Sequence, residues 1–131
     1  METVCADMME LARENLDPAW KNAQVIVVET QPGRYHHLKI HDFMDPAVRE
    51  PLEDQLIDHL IQCKATGVLH CLCTMDGRYP DIPSWHFRSR LVEMDPVDLE
   101  TKLILRGPGD AIRVKSFSDL LPRKSETEVQ K

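Results

Sequence analysis

Apolar positions in the first sixteen residues recur at intervals of three and four. Val4, Cys5, Met8, Met9, Ala12 and Leu16 form one stripe, with Asp7, Glu10, Arg13 and Glu14 elsewhere. That period predicts a helix, with Thr3 available as its cap. Asp17-Pro18 interrupts it with a new cap and a first-turn proline, giving a short turn that carries Trp20.

The pattern then changes. Residues 24 to 30, QVIVVET, are apolar and β-branched at both parities, which predicts a central strand covered on both faces. Gln31-Pro32-Gly33 is turn chemistry, and residues 34 to 43 alternate, with Leu38 and Ile40 on one face. The two runs read as a hairpin. Asp45-Pro46 and Glu50-Pro51 are two possible starts for the helix that follows, since proline is tolerated in a first turn. Its apolar face comprises Leu52, Leu56, Ile57, Leu60, Ile61 and Cys63, with Glu53, Asp54, Asp58 and Lys64 read as the solvent face and an end near Gly67.

Strands are expected at about 68 to 75, 85 to 93, 102 to 106 and 111 to 117. They are separated by a proline-containing loop at 76 to 84, a helical turn at Asp95-Pro96-Val97-Asp98 and a tight hairpin at Gly107-Pro108-Gly109-Asp110. The order α-β-β-α-β-β-β-β predicts a single α+β domain over residues 1 to 122. Its mostly antiparallel sheet of about six strands would carry two helices on one face. A parallel step across the helix at 51 to 64 would be right-handed. Residues 123 to 131 are polar and aperiodic and are expected to form a disordered tail, dispensable for folding.

Composition adds little to the fold and more to the chemistry. The 131 residues are 42% hydrophobic and 29% charged, ordinary for a globular chain, and no apolar run approaches a membrane span. The N-terminus carries acids where a secretory signal would be basic, so a cytoplasmic location is expected. Cys5, Cys63, Cys71 and Cys73 do not have the spacing of a disulfide framework and are read as thiols. The net charge of −6 arises entirely before residue 67. Such acidity repels nucleic acid, so binding to it would need a local basic patch.

Chemical motifs are sparse. The sequence has no phosphate loop, dinucleotide fingerprint, H-E-x-x-H or G-x-S-x-G. His36, His37 and His41 crowd one segment. On a strand, however, His37 and His41 would lie about 13 Å apart, too far to share a metal. Cys71 and Cys73, in an apolar run, read as core residues, and C-x-C does not match common zinc spacings. The expectation is therefore no metal, no cofactor and no catalytic set.

The segment 77 to 90, GRYPDIPSWHFRSR, stands apart. It gathers Arg78, Arg88 and Arg90 with Tyr79, Trp85 and Phe87 in a chain with seven aromatic residues. Read as a strand, residues 85 to 93 would present His86, Arg88 and Arg90 on one face and Trp85, Phe87 and Leu91 on the other. Arginine, tyrosine and tryptophan dominate interface hot spots and also stack nucleobases. The leading expectation is a small cytosolic macromolecule-binding module of the adaptor, inhibitor or immunity-like kind. It would use Arg34, Tyr35, Arg78, Tyr79, Trp85, His86, Arg88 and Arg90, bind a protein partner rather than nucleic acid or a membrane, and could form a homodimer. The alternatives are a small enzyme using His and Asp around residues 35 to 42 with His86 or Arg88, or a nucleic-acid binder through the same basic-aromatic segment.

Overall fold

A computed structural model describes residues 2–63, 68–94 and 101–116. In chain order its elements are α1 (Glu2–Asn15), β1 (Gln24–Gln31), β2 (Arg34–Ile40), α2 (Pro46–Gln62), β3 (His70–Thr74), α3 (Trp85–Met94), β4 (Lys102–Arg106) and β5 (Ile112–Ser116). The strands form one sheet in the order β2-β1-β3-β4-β5. β1 is antiparallel to both β2 and β3, β4 is antiparallel to β5, and β3 and β4 are parallel. Since β2 and β3 both oppose β1, they run in one direction, and α2 crosses β1 to join them. α3 joins β3 to its parallel neighbour β4.

The two-sided burial of β1 organises the layers. Ile26 and Val28 face α2 and α3, where they meet Leu56, Ile57, Leu60, Phe87 and Leu91. Val25 and Val27 face the other way, against Met8, Met9 and Ala12 of α1. β3 repeats the arrangement, with Cys71 and Cys73 on the first face and Leu72 on the second. Removing a Val or Ile side chain of this kind from water contributes roughly 1.5–3 kcal/mol.

The α+β class and the single, largely antiparallel sheet agree with the sequence pattern. Among the described residues the sheet has five strands, and the α-helices number three and cover both faces. Both differences trace to residues 85–93, which form α3 instead of a strand. Ser84 accepts a hydrogen bond from the Phe87 N–H at 3.1 Å, and Arg88 N–H donates to the Ser84 carbonyl at 3.0 Å, so the segment has a helix cap at its head. Phe87 and Leu91, four apart, are buried, whereas Trp85 is 48% exposed. The capped i, i+4 pair prevails over the alternation that suggested a strand.

α2 uses the earlier of its two possible starts. Asp45 caps it by accepting from the Ala47 N–H at 3.0 Å, and Pro51 lies inside the helix. The end of α2 near Gly67, the turn at Asp95–Asp98 and the tail at 123–131 lie outside the described residues. Among the described residues no helix is long and apolar enough to cross a membrane.

This arrangement predicts unequal costs at two neighbouring aromatics. Phe87→Ala should lose about 3–5 kcal/mol in urea unfolding. Trp85→Ala should lose less than about 1 kcal/mol. A strand would put both rings on one face, so equal losses would contradict α3.

Candidate functional site

The parallel strands β3 and β4 end at the edge of the sheet where β1 begins, and the starts of α2 and α3 lie over the same edge. Crevices outside the carboxyl ends of parallel strands are the usual ligand positions of open α/β sheets. Here Gln24, Phe43, Arg49, Met75, Asp81, Ile82 and Ser84 line a cavity of about 300 Å3.

Behind Arg49 and Ser84 lies Glu53, on the second turn of α2, with no exposed surface. Its Oε2 accepts a 2.7 Å hydrogen bond from the Ser84 hydroxyl, and Arg49 Nε stands 3.6 Å from the same oxygen. Arg49 also donates from Nη1 to the Phe43 carbonyl at 3.0 Å. Burial raises the Glu53 pKa, against the opposing effects of the Ser84 hydrogen bond and the Arg49 charge. The carboxyl therefore holds its proton more tightly than an ordinary glutamate.

On the sheet side, Gln24 donates from Nε2 to the Cys73 sulfur at 3.7 Å. The Asp81 N–H donates to the Cys73 carbonyl at 2.7 Å, and the Cys73 thiol donates to the Asp81 carbonyl at 3.1 Å. Asp81 is held above the usual carboxylate range by burial. Gln24 Oε1, Arg49 Nε and Glu53 Oε1 are buried without a hydrogen-bond partner. Such atoms are costly to strand, and in native structures they usually pair with water or a ligand. Two of them belong to residues that line the cavity and the third to the carboxyl behind Arg49 and Ser84, which makes this the candidate site.

The side chains expected to form a site from sequence do not meet there. Arg34 and Tyr35 sit at the β1–β2 turn, and Glu29 at that end pairs with both Tyr35 and His70, opposite the end that carries the cavity. Arg78 and Tyr79 are in the loop after β3. On α3, His86 and Arg90 Nε share Asp54 Oδ1 at 2.8 and 3.0 Å, and Arg90 also reaches Asp58 and Glu93. Arg88 Nε donates to the Pro83 carbonyl at 3.0 Å, with its guanidinium 5.6 Å from the Trp85 ring. The supposed basic strand face is thus a helix surface with Arg90 in ion pairs and Arg88 bonded to the main chain.

The histidines also disperse. His36 lies opposite Val28 and packs edge-on against His59 of α2 at 5.2 Å, with its pKa lowered chiefly by burial. His37 lies opposite Val27, on the α1 side, and His41 packs against Trp20. No constellation of His37, His41, His86 and Arg88 forms.

Glu53 was missed because its pairing with Asp54 suggested a solvent face. A signal was available, since Glu53 stands three, four and seven residues before Leu56, Ile57 and Leu60, on the buried helical phase itself.

No protein-family model matches the chain, and no curated protein matches it in sequence. Its fold is nevertheless shared with solved structures over nearly the whole length. Cytidine deaminase from Bacillus anthracis superposes with a TM-score of 0.68 at 12% identity, covering 95% of this chain and 94% of that one. The cytidine deaminase from Burkholderia pseudomallei gives 0.66 at 16% identity, covering 94% and 98%. That from Mycobacterium leprae gives 0.63 at 15%, covering 90% and 93%. This likeness, with the loss of the basic strand face, overturns the expectation of a protein-binding adaptor, inhibitor or immunity-like module.

Zinc-dependent deaminases hold their metal through an H-x-E segment and the thiolates of P-C-x-x-C. This chain does not fit that group. The segment entering its α3 reads Pro83-Ser84-Trp85-His86-Phe87, with a hydroxyl bonded to Glu53 and a buried ring where the P-C-x-x-C pattern has its two thiolates. Neither H-x-E nor C-x-E occurs in the sequence. Cys71 and Cys73 are fully buried, and burial pushes the Cys71 thiol up to about 12 and the Cys73 thiol well above its usual value. Among the described residues no group of three His, Cys, Asp or Glu is placed to hold a metal ion.

The raised Glu53 pKa sets a pH dependence. The folded chain binds this proton more tightly than the unfolded chain, so the resulting stability is fully present below the ordinary carboxyl range. It is lost as pH rises through the raised value. Urea unfolding across a pH series should therefore show wild type losing stability relative to Glu53→Gln as pH rises through that window. Parallel curves would mean that Glu53 ionises as an ordinary glutamate.

Proposed function

We propose that this chain is a small enzyme that binds a planar, hydrogen-bonding molecule of the nucleoside class in the cavity beneath α2 and α3, and acts on it by proton transfer at Glu53 without a bound metal. The observation that carries the reading is a cavity lined by Gln24 and Arg49, each with a buried polar atom that lacks a hydrogen-bond partner, with a third such atom on Glu53 behind its lining residues Arg49 and Ser84. A protonated Glu53 supplies a donor and an acceptor, Arg49 a donor, and Gln24 an amide able to accept. That set complements the edge of an amide- or amidine-bearing ring.

A carboxyl with a raised pKa, buried beside a cleft, is suited to general acid–base work. It is a stronger base when ionised and keeps a usable proton closer to neutrality. Ser84 positions it. The hydroxyl accepts from Phe87 N–H and donates to Glu53, so the first turn of α3 fixes the carboxyl plane. The similarity of fold to cytidine deaminases supports the nucleoside class. Fold alone does not assign chemistry, so the acid–base role rests on Glu53 itself. Four free cysteines, two of them buried, support a reducing cytosolic location.

Calorimetry with cytidine and other nucleosides, together with an ammonia-release assay, tests the reading. Binding is expected, with turnover that survives chelator. Glu53→Gln should lower turnover by roughly 10²–10⁴ while affinity changes less than about tenfold. Failure of every nucleoside to bind, or turnover that requires added zinc, would defeat it.

A further inference from the structure

A second cavity, of about 560 Å3, lies on the α1 face of the sheet, between the flank of α1 and strand β5. Its place follows from how α1 packs. Met8 and Ala12 press down on Val25, Val27 and Leu72 of β1 and β3. The flank that carries Ala6, Met9 and Arg13, at spacings of three and four, therefore looks out past β3. On β5, Ile112 and Val114 are two apart and share a face, and Val114 packs against the α1 cluster, so both close the cavity from the far side.

The two ends of this cavity differ in chemistry. Arg13 donates from Nη1 to the Gly77 carbonyl at 3.2 Å, and Arg78, which also lines the cavity, is the next residue along the chain. Both guanidinium-bearing side chains thus enter at the Gly77 end. The Arg13 stem lies directly on Gly77, where a Cβ would meet its Cγ at 2.7 Å, so that side chain is held in place before anything binds. Asp76, the acid nearest to Arg78 in sequence, gives Oδ1 to the N–H groups of Arg78 and Tyr79 at 2.8 and 3.1 Å. Among the described residues neither Arg13 nor Arg78 is in an ion pair, and no acid lines the cavity. Away from the arginines the walls are Cys5, Ala6, Met9 and Val114, and burial raises the Cys5 pKa, which keeps that wall uncharged.

Two fork-shaped cations at one end of an apolar cavity complement a carboxylate joined to an apolar body. The volume lies within the range of roughly 300–1,000 Å3 usual for small-molecule sites. We propose that this cavity binds a medium-chain organic carboxylate, its charged head between Arg13 and Arg78 and its chain along Met9 and Val114 towards Cys5 and Ala6. The head offsets two like charges that the fold leaves together, and the chain removes apolar wall from water. The site stands on the opposite face of the sheet from Glu53 and is independent of the nucleoside reading.

Calorimetry on the full chain with octanoate, octan-1-ol and acetate tests the assignment. Octanoate should bind one to one, roughly tenfold or more tighter than either the uncharged alcohol or the short acid, and its margin over octanol should narrow as salt is raised. Arg78→Ala should weaken octanoate about fivefold or more while leaving octanol within about twofold. Ala6→Phe, at an exposed helix position, should fill the cavity and weaken both by about tenfold or more. Thermal melts of the two variants confirm that they are folded. Octanol that binds as tightly as octanoate overturns the proposal, because the arginines then read no charge. Octanoate affinity unchanged in Arg78→Ala or Ala6→Phe also overturns it, as does the absence of saturable binding. A dimer in sedimentation that Ala6→Phe dissolves would make a second copy the occupant. Octanoate affinity that rises about tenfold in Leu120→Glu with Leu121→Glu would make the chain's own C-terminal segment the occupant, and either result defeats the proposal.

Discussion

Burial of β1 on both faces is the constraint from which the rest of this structure follows. Val25, Ile26, Val27 and Val28 are each no more than 1% exposed, and neither side of such a strand can be left to water. One helix must therefore cover Val25 and Val27, and others must cover Ile26 and Val28. The chain meets this with α1 on one side and with α2 and α3 on the other. Both of the latter connect strands that run in the same direction, so both helices start over the same sheet edge. The cavity is a consequence of that shared edge, since Gln24 begins β1 where the loop leaving β3 turns towards α3.

A charged residue placed on a core phase gives the edge its chemistry. Glu53 lies where a leucine would pack, and its cost is reduced only in part by one short hydrogen bond from Ser84 and by a longer contact with Arg49. The pairs of Asp54 with His86 and Arg90 also join α2 to α3, but they are partly exposed and are worth about 0–1 kcal/mol each. They secure the helices at the surface, away from the buried carboxyl. Glu53 is different because it cannot be resolvated without opening the α2–α3 contact. Its protonation is therefore linked to the integrity of that contact.

The fold of the cytidine deaminases compared is thus present with Ser84 and Phe87 at the start of α3. Ser84 caps α3 and holds a carboxyl, and Phe87 fills the core. A hydroxyl committed to two hydrogen bonds and an aromatic ring do not replace two thiolates. Fold and side-chain chemistry are separable, and a shared architecture leaves the set of donors free to differ. That separation also explains why a match in shape accompanies sequence identities of 12 to 16% among the structures compared.

By itself the sequence determined those features that depend on near neighbours. The period of Val4 to Leu16 specified α1, the two-sided run at 24 to 30 specified a central strand, and Leu52 to Leu60 specified the buried face of α2. Turn chemistry at Pro32-Gly33 placed the hairpin. Segment 85–93 read as a strand at this level, because Trp85, Phe87 and Leu91 alternate, although Phe87 and Leu91 also fit a helix turn. Tertiary structure resolved it through the Ser84 cap and the cover that Ile26 and Cys73 require. The site was still less legible. Gln24, Arg49, Glu53 and Ser84 lie up to sixty residues apart and form no motif, and a carboxyl reads as a solvent group until its neighbours are known. Only the folded chain decides which polar atoms lose water, because desolvation depends on what is packed around a group and not on where it stands in the chain.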